Sequence, residues 1–106
     1  MGEVVQLRKP QPKPTLQELV ARVRKIMEEN PDAVGFDHPH LQERMSTRGK
    51  HMREILEVLK KGEGVKGPDL DKYGDYRIKL RRFCCGRTTN VVVAIREKDL
   101  TVITVT

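Results

Sequence analysis

Aromatic side chains are scarce. Tryptophan is absent, and Phe36, Tyr73, Tyr76 and Phe83 are the whole aromatic set. So few π-faces make a poor stacking platform of the kind used by single-strand nucleic-acid binders, and they leave Val, Leu and Ile to build the core. Cysteine is limited to the neighbours Cys84 and Cys85. Adjacent cysteines rarely bridge each other because the short linkage strains the peptide, so no disulfide framework is expected. The "CC" pair and the "HPH" run at 38–40 lack the spacing of usual structural zinc sites, and no metal or cofactor is expected. No apolar run reaches membrane-spanning length. The opening "MGEVVQLRKPQPKP" has no apolar stretch of the secretory type. The expectation is a cytoplasmic protein without a membrane partner. Neither a G-x-S-x-G elbow nor a phosphate-binding P-loop occurs. "GEGVKG" has glycines but neither a preceding strand nor a Lys-Ser/Thr ending, and it reads as a loop.

What the chain does have is positive charge, and it is concentrated. The 106 residues carry a net charge of +6. Between positions 72 and 96 stand Lys72, Arg77, Lys79, Arg81, Arg82, Arg87 and Arg96 against the single acid Asp75. That segment holds the whole excess, as an electrostatic footprint for a polyanion would. Ordinary solubility charge is the plainer account.

Periodicity divides the chain. Residues 1–14, with alternating prolines and basic residues, read as a flexible arm, and 15–106 as one domain. "TLQE" at 15–18 is a capping box. Leu16, Leu19, Val20, Val23, Ile26 and Met27 follow it at helical spacing until Asn30 and Pro31. A second helix begins at Pro39, a favoured first position, and ends at Gly49, suited to a left-handed cap. Its apolar stripe is thin, mainly Leu41 and Met45, which puts it at the domain's edge. A third helix covers about 50–61, with Met52, Ile55, Leu56 and Leu59 on its core face. The period then changes to two. Tyr76, Ile78 and Leu80 alternate with Arg77, Lys79 and Arg81, giving a strand with one apolar and one cationic face. "TTNVVVAIR" reads as a central strand and "LTVITVT" as the last. The expected fold is α+β: two to three N-terminal helices on one face of a three- to four-stranded antiparallel meander sheet.

Two constellations stand out. His40, Arg44 and Arg48, four apart on one helix, fall in a slanting row along one side. His40 lies in the first turn, where unpaired backbone N–H groups attract phosphate. The plainer account is a solvated face with Glu43 and Glu54 pairing nearby. Arg77, Lys79 and Arg81 share one strand face, and like charges there repel unless something answers them. Edge-strand protection is the plainer account.

"HLQERMSTRG", "ILEVLKKGE", "GRTTNVVVAI" and "VITVT", in that order, resemble a small bacterial family of unknown function. Its members read H-x-x-x-R-M-x-x-R-G near the start and I-T-V at the end. The resemblance covers about 37–106. That family is distantly similar to the barnase/colicin/RelE-like ribonuclease toxins. The resemblance implies a metal-independent, toxin-type endoribonuclease that cleaves RNA by attack of the 2′-hydroxyl. His40 would serve as base or acid, Arg44 and Arg48 would hold the phosphate, and Thr104 would bond the phosphate or position the histidine. Arg77, Lys79, Arg81 and Arg87 would carry the RNA, and an antitoxin-like protein would be the natural partner. Two features depart from the pattern: "GKHM" lacks the usual cap for the third helix, and helix 15–30 lies outside the pattern, as a docking addition would. A non-catalytic nucleic-acid-binding or protein-interaction module of the same fold is the rival reading.

Overall fold

The computed structural model describes residues 13–84 and 86–106. The N-terminal arm, up to residue 12, and Cys85 of the cysteine pair lie outside the described residues. Among the described residues, three α-helices and a five-stranded mixed sheet form the α+β fold. Helix α1 spans Leu16–Glu29, α2 Pro39–Arg48 and α3 Met52–Lys61. The strands are β1 (Val34–Gly35), β2 (Glu63–Leu70), β3 (Tyr76–Cys84), β4 (Arg87–Ile95) and β5 (Leu100–Val105), in the spatial order β1-β5-β4-β3-β2. No helix among the described residues is long and apolar enough to cross a membrane.

Local chemistry sets the helix ends. Thr15 Oγ1 accepts from the Glu18 N–H at 3.1 Å, and Glu18 Oε1 accepts in return from the Thr15 N–H at 3.2 Å. This is the reciprocal capping box that the "TLQE" run predicts. Gly49 closes α2 at φ 62°, a left-handed conformation that a Cβ would strain.

The sheet is wider than the meander expected, and one pairing is parallel. β3, β4 and β5 form the expected antiparallel core of the sheet. Two strands were not legible. β1 is only two residues long and pairs parallel with β5, Val34 against Leu100 and Gly35 against Thr101. Such a short element has no period of its own, and its partner defines it. β2 is the "GEGVKGPD" stretch that composition assigns to a loop. It lies antiparallel to β3 at the sheet edge, where glycine, proline and broken register are tolerated.

One hydrophobic cluster joins all three helices to a single face of the sheet. It includes Leu19 and Val23 of α1, Leu41 of α2, Ile55 and Leu59 of α3, and Ile78, Leu80, Val91, Val93, Val102 and Val105 of the strands. Helix α1 is therefore no outlying docking addition. Its apolar face packs on α3 and β2, and Leu19 and Val23 are fully buried. Each such side chain contributes about 1.5–3 kcal/mol of burial.

Gly64 permits that contact. A Cβ at this position would stand 2.8 Å from Leu16 Cγ and 2.8 Å from Val20 Cγ2. Gly64→Val should therefore lower stability by about 1–3 kcal/mol through overpacking. Thermal melts followed by circular dichroism measure the loss, and an unchanged midpoint would contradict the close approach of α1 to β2.

Candidate functional site

The core consumes one sheet face, and no helix of the described residues covers the other. On β3, Ile78 and Leu80 are buried in the core, while Arg77, Lys79, Arg81 and Phe83 alternate with them on the open side. Pairing carries this face across the sheet. Lys79 sits opposite Val92 of β4, and Val92 opposite Thr104 of β5. On the outer side, Lys79 is paired directly with Lys66 of β2.

Lys66 reaches this face because β2 is irregular. Gly64 pairs with Leu80, but Lys66 pairs with Lys79, so the register slips by one residue between them. A slip of one residue exchanges the faces of a strand. Without it Lys66 would share the side of Gly64, beneath α1. A second irregularity brings Asp69 opposite Arg77. Lys66, Asp69, Arg77, Lys79 and Val92, with Ile78, line a shallow depression of about 210 Å³. The hollow between α1 and the β4–β5 turn is larger, about 460 Å³, but its charges are mixed: Arg22, Lys25 and Lys98 face Glu18, Glu29 and Glu97.

The cations of the open face differ in how they are engaged. Arg77 Nε donates to Asp71 Oδ2 at 3.0 Å. Asp71 is held below the usual carboxylate range, first by the Asp75 N–H that donates to it and then by Arg77. Arg81 Nε donates to Asn90 Oδ1 at 3.2 Å, and Glu63 stands across from it on β2. Lys66 and Lys79 face each other with no carboxylate ion-paired to either among the described residues.

Arg87 is not part of this face. It lies at the start of β4 on the helix-covered side, where Nε donates to Glu54 Oε2 at 2.8 Å and Nη2 to Glu54 Oε1 at 2.7 Å. The same Nη2 donates to the Gly49 carbonyl. Lys50 Nζ donates to the Thr88 carbonyl at 3.1 Å and to Thr89 Oγ1 at 3.2 Å, and Thr89 Oγ1 bonds Glu54 Oε2 at 3.3 Å. Lys50, Glu54 and Thr89 are buried. The group fastens the α2–α3 junction to β4. Glu54 thus serves Arg87 rather than the arginines of α2. It also accepts from the His51 N–H at 3.0 Å, which supplies from the third helical position part of the cap that "GKHM" lacks.

His40, Arg44 and Arg48 lie on α2, which packs along β5 through Leu41 and Met45. His40 and Arg48 are exposed and Arg44 is half-buried. No carboxylate of the described residues forms an ion pair with either arginine. The His40 ring stacks on His38, with centroids 5.2 Å apart, and the His40 N–H donates to His38 Nδ1 at 3.2 Å. His38 is thus the N-cap of α2, a role for which only its place before Pro39 is a sequence signal. Thr104 lies on the open sheet face, in the cross-strand row of Lys79 and Lys66. The structure therefore groups the proposed site residues as Arg77, Lys79, Arg81 and Thr104 on the open face, the α2 row beside β5, and Arg87 in the buried clasp. Lys66, Phe83 and Lys50 were missed. Lys66 sits in a glycine-rich stretch whose composition gives a loop, and the scarcity of aromatics argues against stacking at Phe83.

No three His, Cys, Asp or Glu side chains among the described residues are grouped so as to hold a metal ion. Together these features define a small α+β domain whose described residues place helices on one sheet face and leave the second, basic face open. The chain belongs to the family described as Domain of unknown function (DUF4258), which matches residues 38–106. No curated protein and no solved structure matches it.

The clasp makes stability depend on acid. The Arg87 hydrogen bonds, opposed by burial and helped by the His51 N–H, lower the Glu54 pKa from 4.5 to about 2. A carboxylate whose pKa is depressed by folding contributes stability above its unfolded value and loses it as pH falls through the folded one. Between about pH 4.5 and 2 the fold should lose about 3 kcal/mol from this group. Urea unfolding of the wild type and Glu54→Gln across that window checks it. The variant should be less stable near neutrality and flatter towards acid; parallel curves would remove Glu54 as the cause.

Proposed function

We propose that this chain binds RNA across the open face of its sheet. The observation that carries the reading is the facing pair Lys66 and Lys79, flanked on the same strand by Arg77 and Arg81. Like charges directly opposite each other destabilise a sheet. An anion that bridges them relieves the repulsion, and a phosphodiester backbone brings such anions in series. Side chains on one face of β3 recur about every 6.7 Å, a spacing similar to that of successive phosphates along an extended strand. The neighbouring carboxylates already answer Arg77 and Arg81 in part, so the lysine pair is the electrostatic centre of the surface. An acidic, antitoxin-like protein would compete for the same cations.

Cleavage is a second reading, favoured by the exposed imidazole of His40 and by Arg44 and Arg48 on α2, which have no carboxylate partner among the described residues. It follows the resemblance to the ribonuclease toxins. His40 would take the proton of the 2′-hydroxyl as that oxygen attacks phosphorus. The bond to the 5′-oxygen would break, that oxygen would leave with a proton from solvent water, and a 2′,3′-cyclic phosphate would remain. Arg44 and Arg48, on the same helix as His40, would hold the phosphate and offset charge in the phosphorane.

Binding is tested by titrating RNA against salt. Lys66→Ala and Lys79→Ala should each flatten the slope of log K against log salt by about 0.7–0.9. Affinity that ignores both salt and these substitutions would sink the binding reading. Cleavage is tested by incubating RNA with the protein in chelator. Cyclic-phosphate ends should form with the wild type and fail to form with His40→Ala, while affinity stays nearly constant. Equal product from both proteins removes His40 from the mechanism, and product from neither leaves a binding module.

A further inference from the structure

We infer that the RNA taken by this face is single-stranded, with one unpaired base stacked on Phe83 and the backbone following β3 over Arg81, Lys79 and Arg77. This deepens the reading above and rests on it.

Phe83 is 67% exposed, although it is among the largest apolar side chains of the protein. The β3–β4 pairing runs without a register shift from Tyr76 to Cys84, so no bulge turns Phe83 away from the cationic row. It stands two residues beyond Arg81 on the same face. From Arg77 to Phe83 the row is about 20 Å long at the strand repeat, enough for a few nucleotides. The row therefore has three cations and then a bare ring at its hairpin end.

The ring distinguishes between forms of nucleic acid. A duplex presents phosphates to lysines as readily as a single strand does. It keeps its base faces covered, however, and Phe83 would remain in water. An unpaired base offers a π-face, and stacking on an aromatic side chain is the common device of single-strand recognition. Thr104 favours RNA over DNA. It lies in the same cross-strand row as Lys79, about 10 Å away across two strand spacings, and its hydroxyl can bond a ribose 2′-hydroxyl. The scarcity of aromatics elsewhere sharpens the choice. Tyr76 packs against the core, and Tyr73 lies in the β2–β3 turn under Lys72.

The test is fluorescence anisotropy of the full chain with a short unstructured RNA, the same sequence in a duplex, and the matching single-stranded DNA. The single-stranded RNA should bind at least about tenfold more tightly than the duplex, and more tightly than the DNA. Phe83→Ala should weaken it by about 5- to 150-fold, the range for loss of one base stack. Phe83→Tyr should keep most of the affinity. The salt slope should stay as in the wild type for both variants, unlike that of Lys79→Ala, because stacking releases no counterions. Circular dichroism confirms that the variants fold. Equal or tighter duplex binding, tighter DNA binding, or an indifferent Phe83→Ala would overturn this inference and leave RNA binding standing. Sedimentation that shows the wild type self-associating through Phe83 would overturn it too. No affinity for any RNA would remove both readings.

Discussion

Every helix of the described residues buries its apolar stripe against the same side of the sheet. The reason lies in the strands. Ile78, Leu80, Val91, Val93 and Val102 form one continuous apolar surface, and three helices with narrow stripes are enough to cover it. The other side has Arg77, Lys79 and Arg81 in alternation with the core residues of β3. Covering that side would mean desolvating three cations, which is far costlier than leaving them in water. One-sided burial therefore follows from period-two patterning, and the open face follows from one-sided burial. Any ligand of that face meets a surface fixed by the core behind it, on strands rather than on loops.

The clasp around Glu54 solves a different problem. Lys50 is buried where α2 gives way to α3, and a buried ammonium needs partners. The Thr88 carbonyl and Thr89 Oγ1 supply them, Thr89 bonds Glu54 in turn, and Arg87 closes the set from the start of β4. Such a group adds less net stability than its bonds suggest, because desolvation offsets attraction. It does fix the rotation of the α2–α3 junction against the sheet. The position of the α2 row beside β5 is thus set from both ends, by Leu41 in the core and by Gly49 held through its carbonyl to Arg87.

The charge count along the chain shows where sequence reading runs out. Residues 72–96 look almost unopposed, yet three of their cations have acid partners in the fold. Arg77 has Asp71, Arg87 has Glu54, and Arg96 has Asp75 and Asp99. Asp71, Glu54 and Asp99 lie outside the segment, and Glu54 is distant from Arg87 in the chain. Asp71 and Asp99 fall just beyond the segment's ends, and Glu54 is out of reach of any window along the sequence. What survives on the open face is smaller than the raw excess and differently placed, because Lys66 joins it from a stretch that composition assigns to a loop. Phe83 went the other way. Counting aromatics argued against stacking, but one ring in the right place is a matter of position rather than number.

The sequence by itself determined the local events: the capping box at Thr15, the stop at Gly49, the three helical stripes, and the alternation along β3. These need only neighbours within a few residues, and side-chain and backbone preferences act at that range. The tertiary structure alone decided the pairing of β1 with β5, the slip that puts Lys66 opposite Lys79, and the capture of Arg87 by Glu54. Each of these is a contact between segments whose separation along the chain leaves no periodic trace. Register and partner choice are settled only when a whole face of the sheet is packed at once.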